Sequence, residues 1–212
     1  MEKATEELEL MKKKYGNVKY HSNFQNTFEL LVATILSAQC TDERVDIVLK
    51  ELRKKYHKPQ DILDVPLSEF EQDIRSTGFY RNKAKNIKGC CKLLVEKYNN
   101  KVPNTMEELL TFPGISRKTA NVILQNGFGV VVGIPCDTHV LRVAYRLGWS
   151  STPTNDKKTE QELIKILDKK YWTHIPNLLK AHGKAVCKAP VPECSKCFLN
   201  KVCPKNGVSK FK

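Results

Sequence analysis

Apolar residues recur along this chain at helical spacing, and no segment alternates apolar and polar positions as a half-buried strand would. The segment FELLVATILSA, residues 28–38, is apolar on nearly every side, which is typical of a buried central helix. Further helices are predicted at 5–15, after Thr41, at 81–98, from Asp137 to just before Gly148, at 159–171 and at 174–186. With about ten helices and no sheet, the pattern predicts an all-α protein.

Capping residues mark where several of these helices begin. Thr41 is a predicted N-cap at the start of a charged amphipathic helix. Ser68 with Glu71, and Thr105 with Glu108, show the S/T-x-x-E pattern of a capping box. Each pattern predicts that a helix begins directly after its first residue.

The chain carries a large excess of positive charge. The 212 residues include 36 Lys and Arg against 23 Asp and Glu, a formal net charge of +13. Such a field attracts polyanions, most often nucleic acid or anionic membrane, although a charged surface that only keeps the protein soluble is an alternative. The first residues lack the apolar run of a signal peptide, and no stretch approaches the roughly 18 apolar residues of a membrane span. The protein is therefore expected inside the cell, cytoplasmic or nucleoid-associated in a prokaryote and nuclear in a eukaryote.

The stretch TMEELLTF-PGIS-RKTANVILQ, residues 105–125, predicts two helices joined by a tight turn. The N–H groups of the turn, around Gly114 and Ser116, and those of the uncapped helix start would face one spot, where a phosphate can complete them. Arg117 and Thr119 would add a charge and a hydroxyl around that phosphate. Such contacts carry no base information and bind any sequence. An ordinary helical hairpin with solvated cations is the alternative.

Lys118 stands in the first turn of the second hairpin helix, beside Arg117. Positive potential from the helix start and from Arg117 is expected to lower the pKa of Lys118 and favour its neutral amine. A neutral amine is a nucleophile and can form a Schiff base. The position of Lys118, although unfavourable for a cation, is therefore favourable for a nucleophile.

Four cysteines crowd into the C-terminal segment in the pattern Cys187-x6-Cys194-x2-Cys197-x5-Cys203. Thiolates this close in sequence predict a site for a soft metal. Zinc is the general alternative, but a four-cysteine zinc site usually pairs two C-x2-C units, and this segment has one. The remaining cysteines have no ligand spacing and are expected to be small buried side chains: Cys40, Cys90, Cys91 and Cys136.

Five stretches together resemble the endonuclease III family of helix-hairpin-helix DNA glycosylase/AP lyases, which carry a [4Fe-4S] cluster. They are LSAQCTD at 36–42, STGFYRNKAKNI at 76–87, FPGISRKTANVIL at 112–124, GIPCDTHVLRV at 133–143 and the cysteine spacing from 187 to 203. The resemblance runs from about residue 22 to 203. This chain departs from the family pattern at Phe79, in place of a leucine wedge, at Phe112, in place of a leucine, and at Ser116, in place of the second glycine of the turn. A positive φ at Ser116 would be penalised, so the phosphate contact is expected to be less secure there.

The resemblance implies two catalytic residues and a cluster. Lys118 would attack the sugar C1′ of a flipped nucleotide, expel the base and form an imine whose elimination cuts the strand 3′ to the lesion. Asp137 reads most simply as an N-cap, and would also steady the cationic sugar as the base leaves. His139 is expected to be structural, with a DNA contact as the alternative. Arg142 is expected either to contact DNA or to be a solvated helix cation. The [4Fe-4S] cluster would be held by the metal ligands Cys187, Cys194, Cys197 and Cys203, and would staple the last segment into a loop.

The resemblance also implies DNA contacts. Gln39 would enter the duplex and meet the widowed base, and Phe79 would insert as an apolar wedge. Arg81 and Lys83 would face backbone phosphate, as would Lys188 in the cysteine loop. The alternatives are an exposed helix end for Gln39, a core aromatic for Phe79 and solvated charge for the cations.

The implied architecture has two all-α lobes with a DNA-binding cleft between them. A six-helix barrel with the helix-hairpin-helix is expected at 22–132, and an iron–sulfur cluster lobe joins 1–21 to 133–212. The leading hypothesis is a monomeric base-excision-repair enzyme that removes oxidised pyrimidines such as thymine glycol from double-stranded DNA and cleaves abasic sites by β-elimination. The alternatives are a monofunctional mismatch glycosylase, for thymine or uracil opposite guanine, and a non-catalytic helix-hairpin-helix DNA-binding protein. The mismatch enzymes usually lack a lysine where Lys118 stands.

Overall fold

The computed structural model describes residues 2–18 and 23–212, and every regular element in these residues is a helix, which confirms the all-α prediction. In chain order the α-helices are α1 (Glu2–Tyr15), α2 (Thr27–Leu36), α3 (Asp42–Lys55), α4 (Pro59–Asp64), α5 (Leu67–Asp73), α6 (Tyr80–Lys97), α7 (Met106–Leu109), α8 (Arg117–Phe128), α9 (Thr138–Arg146), α10 (Asp156–Ile166) and α11 (Ile175–Ala185). Short 3-10 helices lie at Arg75–Thr77, Lys169–Tyr171 and Cys194–Lys196. Within the described ranges, no helix has the length and apolarity of a membrane span.

The chain divides into two compact units. We call residues 21–132 the hairpin unit, and residues 1–20 together with 133–212 the cysteine unit. The predicted boundary between residues 21 and 22 lies outside the described residues.

The hairpin unit is built around α2. Seven of the ten residues of this helix are buried, which confirms the predicted central helix with bounds at Thr27 and Leu36. Asn26 caps it, because its side-chain oxygen accepts a hydrogen bond from the N–H of Glu29 at 2.9 Å. Helix α2 packs against α3, α6 and α8, so the helices that begin at Tyr80 and Arg117 are anchored on this core.

Two of the three helix-capping residues predicted in the hairpin unit are confirmed. The Thr41 side chain caps α3 by accepting from Arg44 N at 3.3 Å, and Thr105 caps α7 by accepting from Glu108 N at 3.3 Å. The start at Ser68 is wrong, because α5 begins at Leu67. Pro66, with φ −58, already has the backbone angle of a helix start, so the helix begins before the serine can cap it. Helix α4, six residues long, was not predicted from the sequence, because so short a segment shows no periodicity.

The cysteine unit packs α1, α9, α10 and α11 around one apolar core. Buried members of that core include Leu8, Val143, Leu163 and Leu179. The predicted helix after Asp137 is confirmed as α9, and Gly148 follows it with φ 74, as expected of a residue past a helix end. Helix α10 spans 156–166, so the prediction of 159–171 placed it too late; Asn155, which caps α10, was the missed signal.

Candidate functional site

Ser116 starts the second helix of the hairpin. It is the N-cap of α8, with φ −88 and ψ 168, and its Oγ accepts a hydrogen bond from Thr119 N at 3.3 Å. The expected positive φ at Ser116 is therefore wrong, since the left-handed conformation falls on Gly114, with φ 77. The expectation of an uncapped helix start is corrected as well, because the serine satisfies one of the first N–H groups.

The hairpin turn rests on α6. A Cβ at Gly114 would lie 2.6 Å from Asn86 Nδ2, and a Cβ at Gly89 would lie 2.9 Å from the Pro113 ring. The Sγ of Cys90 donates to the Pro113 carbonyl at 3.3 Å. These close contacts fix the position of the turn on α6. Because no side chain fits at Gly114, this residue can contribute to the site only through its backbone.

Lys118 is exposed in the first turn of α8. The buried face of this helix is formed by Ala120, Ile123 and Leu124, and helical spacing turns Lys118 away from that face. Arg117 and Thr119 beside it are partly exposed. The hairpin thus presents an amine, a guanidinium and a hydroxyl around a helix start, where partial positive charge favours a bound anion.

Asp137 is the N-cap of α9, as predicted. Its Oδ1 accepts from the N–H groups of both His139 and Val140, each at 2.8 Å. His139 is partly buried with its Nδ1 3.1 Å from Arg142 Nη2, and burial lowers the pKa of His139. The cap orients the carboxylate at the helix start.

Arg142 is not a solvated cation. Its Nε donates to the Cys187 carbonyl at 3.1 Å, and its Nη2 donates to the Gly183 carbonyl at 3.2 Å. Arg142 therefore ties α9 to the segment where the cysteine loop begins. The sequence could not show this, because the acceptors lie more than forty residues away along the chain.

Gln39 and Phe79 are exposed residues in left-handed backbone conformation. Their φ angles are 51 and 48, and Phe79 is 67% exposed, so the alternative of a core aromatic is wrong. A non-glycine residue held at positive φ costs on the order of 1–3 kcal/mol. Strain of this kind tends to persist where function requires a side chain to project.

Lys83 does not face DNA phosphate, which corrects the prediction. It is buried at 4% exposure, and its Nζ donates to the carbonyls of Leu36 and Thr77, both at 2.8 Å. Position 83 lies on the inner face of α6, where these two helix-end carbonyls lack a helical partner. Arg81, two residues earlier, is exposed, with its guanidinium 5.7 Å from the centre of the Tyr80 ring.

The four C-terminal cysteines line a single cavity. Cys187, Cys194, Cys197 and Cys203 surround it together with other residues that include Arg146 and His182. No three His, Cys, Asp or Glu side chains in the described part of the chain are placed to hold one metal ion. A mononuclear zinc site would need four ligands gathered at about 2.3 Å from one point. Cysteines that surround a cavity without meeting at a point fit a group larger than a single ion.

Arg146 stabilises the cysteine loop through hydrogen bonds to its backbone. The side chain is buried, and its guanidinium donates to the carbonyls of Cys187, Lys188 and Pro190 and lies 3.4 Å from the Cys187 Sγ. A fixed cation suits a cavity that must hold thiolates, because burial raises the pKa of Cys194, Cys197 and Cys203.

Lys188 is exposed, but its charge is not free. Its Nζ lies 2.7 Å from Glu193 Oε1, and this lysine lowers the pKa of Glu193. A DNA phosphate would have to compete with that carboxylate.

Of the cysteines outside the loop, Cys90, Cys91 and Cys136 are buried as predicted, and Cys40 is only partly buried. Burial raises the pKa of Cys91 to about 12, so this thiol stays protonated at neutral pH.

The chain is similar to known DNA repair proteins over most of its length. Residues 32–169 match the family model described as HhH-GPD superfamily base excision DNA repair protein. The chain is 44% identical over 208 residues to endonuclease III of Synechocystis sp., covering 98% of this chain and 94% of that protein. It is 46% identical over 178 residues to endonuclease III of Bacillus subtilis, covering 84% and 81%.

Solved structures are similar over the same extent. A non-covalent endonuclease III–DNA complex superposes with a TM-score of 0.92 at 43% identity, covering 96% of this chain and 95% of that chain. A trapped endonuclease III–DNA covalent intermediate gives a TM-score of 0.90 at 43% identity, covering 96% of both. A thermostable thymine-DNA glycosylase, at 21% identity and a TM-score of 0.82 over 96% of both chains, shares the fold.

Proposed function

We propose that this chain, which belongs to the endonuclease III family within the HhH-GPD superfamily of base excision DNA repair proteins, acts on oxidised pyrimidines, such as thymine glycol, in duplex DNA. It is a DNA glycosylase with AP lyase activity. The observation that carries the proposal is the exposed amine of Lys118 at the capped start of α8.

Lys118 acts as the nucleophile. Its neutral amine forms a bond to C1′ of the flipped nucleotide while the bond from C1′ to the base breaks, and the base leaves with that electron pair and takes up a proton. The nitrogen then loses a proton, and opening of the sugar ring gives an imine. Removal of a C2′ proton expels the oxygen on C3′, which cuts the strand 3′ to the lesion.

Asp137 steadies the positive charge that develops on the sugar as the base departs. The two backbone bonds to its Oδ1 hold the carboxylate in one orientation, so little reorganisation is needed when charge develops.

DNA is gripped through its phosphates and opened by two side chains. Around the hairpin turn, the backbone at Gly114 and Ser116 and the side chains of Arg117 and Thr119 bind a phosphate, with Arg81 and Lys188 as further contacts. Gln39 and Phe79 fill the space that the flipped nucleotide leaves. The net charge of +13 makes the grip sensitive to salt. The protein acts as a monomer.

The cysteine loop is proposed to hold a [4Fe-4S] cluster on Cys187, Cys194, Cys197 and Cys203. When bound, this group stabilises the loop, since metal binding couples to folding. Arg146 contributes the fixed positive charge beside it. On this reading the hairpin unit is the helical barrel domain, and the cysteine unit is the cluster domain.

Borohydride trapping, which reduces the imine to a stable amine, tests the proposal. Wild type, Lys118→Ala and Lys92→Ala are compared on duplexes that carry thymine glycol, a G:T mismatch or an abasic site. Lys92 is a matched control, an exposed lysine of α6 whose Nζ lies 3.8 Å from Glu96. We expect adducts on thymine glycol and the abasic site for wild type and Lys92→Ala, and none for Lys118→Ala. Base release without an adduct would mean a monofunctional glycosylase, and binding without base release would mean a non-catalytic protein.

A further inference from the structure

Lys83 connects the ends of two helical elements that are distant in sequence. Its Nζ donates to the carbonyl of Leu36, the last residue of α2, and to that of Thr77, the last residue of the 3-10 helix. Both distances are 2.8 Å, and the side chain is 4% exposed. Carbonyls at helix ends lack an intrahelical partner, so one ammonium completes both.

Each of these carbonyls is followed closely by a strained, exposed residue. Gln39, with φ 51, comes three residues after Leu36, and Phe79, with φ 48, comes two residues after Thr77. The backbone N–H of Lys83 also donates to the Phe79 carbonyl at 3.2 Å. Left-handed conformations at such residues persist only where the surrounding structure holds them. Lys83 contacts the backbone on both sides of Phe79 and the segment that leads to Gln39.

We propose that Lys83 is a positioning residue that sets the spacing of Gln39 and Phe79, so that both enter the duplex together when a nucleotide is flipped. The inference rests on the proposed role of these two side chains in opening DNA. Lys83 makes no contact with DNA in this arrangement; it acts through the carbonyls of Leu36 and Thr77.

A lysine suits this role better than a neutral side chain. An ammonium offers three donors and binds carbonyls through charge-assisted hydrogen bonds, which are shorter and stronger than neutral ones. Burial lowers the pKa of Lys83, and the nearby Cys40 opposes that shift. An ion kept inside despite this cost must be compensated by its acceptors, and both acceptors adjoin the segments of Gln39 and Phe79.

Lys88 shows what a lysine that only supports the fold looks like. It lies on the same helix, is partly buried, and its Nζ donates to the carbonyls of Ile62, Leu63 and Val65 at the end of α4. No residue from 62 to 66 has a positive φ. Lys88→Met is therefore a matched control, since it removes the same kind of contact away from Gln39 and Phe79.

The test is a mutant cycle on single-turnover release of thymine glycol from duplex DNA. Lys83→Met is measured in the wild-type background and in a Gln39→Ala/Phe79→Ala background, with Lys88→Met beside it in both. We expect Lys83→Met to slow release by about tenfold in the wild-type background and by less than about twofold in the other. Lys83→Arg, which keeps the donors, should recover most of the rate. If Lys83→Met does not fold, Lys83→Gln takes its place in the cycle.

An equal loss in the two backgrounds would mean that Lys83 only supports the fold, and would overturn the inference. So would an unchanged rate for Lys83→Met. A wild-type rate for Gln39→Ala/Phe79→Ala would overturn both the inference about Lys83 and the proposed role of Gln39 and Phe79 in opening DNA. It would not contradict the proposed glycosylase activity.

A second measurement separates this inference from the proposed activity. The fluorescence of 2-aminopurine opposite a stable abasic analogue rises when the base is unstacked, and it requires no chemistry. A rise for wild type and Lys88→Met that is lost in Lys83→Met would support the inference even if no thymine glycol were released. A full rise for Lys83→Met would overturn it.

Discussion

The Oγ of Ser116 accepts a hydrogen bond from the backbone N–H of Thr119 at 3.3 Å, so the helix that carries Lys118 begins with a side-chain cap. The family pattern has glycine at this position, and the serine reaches the same turn with an ordinary φ of −88. The substitution therefore does not strain the turn, and it contributes a cap that glycine lacks.

Replacing Ser116 should reveal that cap. Removal of an N-cap by alanine costs about 0.5–2 kcal/mol, whereas glycine costs only a few tenths. We expect Ser116→Ala to lower the free energy of unfolding by about 1 kcal/mol and Ser116→Gly to leave it nearly unchanged. Denaturant unfolding measures both. Ser68→Ala is the control, because Ser68 lies inside α5 and caps nothing; a loss there equal to that of Ser116→Ala would argue against the cap.

Substitutions of Asp137 can separate its helix-capping role from its proposed catalytic role. Asparagine caps helices about as well as aspartate but carries no charge. Asp137→Asn should therefore keep the melting temperature and duplex affinity while slowing base release by about a hundredfold. Asp137→Ala should lose both stability and rate. A wild-type release rate for Asp137→Asn, measured in single turnover, would leave this residue with the capping role alone.

Loss of one cysteine ligand should remove the cluster. Cys197→Ser is expected to give colourless protein with little bound iron and a cysteine unit that melts at lower temperature, because binding of the group and folding of the loop are coupled. Iron content and visible absorbance are the measurements. Cys40→Ser, outside the loop, should keep its iron. Full iron content in Cys197→Ser would exclude this thiol as a ligand, and stoichiometric zinc in wild type would exclude an iron–sulfur cluster.

Glu7 should make stability depend on pH. Burial raises the pKa of Glu7 above 4.5, although Trp149 Nε1 donates to its Oε2 at 2.6 Å. Because the folded-state pKa is raised, the contribution of this group is fully present below pH 4.5 and is lost as pH rises through the folded pKa. Glu7→Gln should therefore gain stability relative to wild type as pH is raised from about 4 to 7. Unfolding curves at both pH values test this; a difference between the two proteins that stays constant would show that Glu7 keeps its usual pKa.

Much of this protein was predictable from short stretches of sequence. The apolar run at 28–38 predicted the central helix, and Thr41, Thr105 and Asp137 predicted three of its helix starts. These features depend on neighbours within a few residues, where helical spacing and capping chemistry act directly. The cysteine spacing and the RKTAN stretch indicated the family through their resemblance to its motifs.

What the tertiary structure decided concerns side chains whose partners lie far along the chain. Lys83 has the sequence context of an exposed cation, yet it turns inward and donates to the carbonyl of Leu36, 47 residues earlier. Arg142 likewise looks like a solvated helix cation until Cys187, 45 residues later, supplies its acceptor. An isolated charge is expensive to bury, so sequence alone favours exposure. Only packing that brings a helix-end or loop carbonyl within reach reverses that preference.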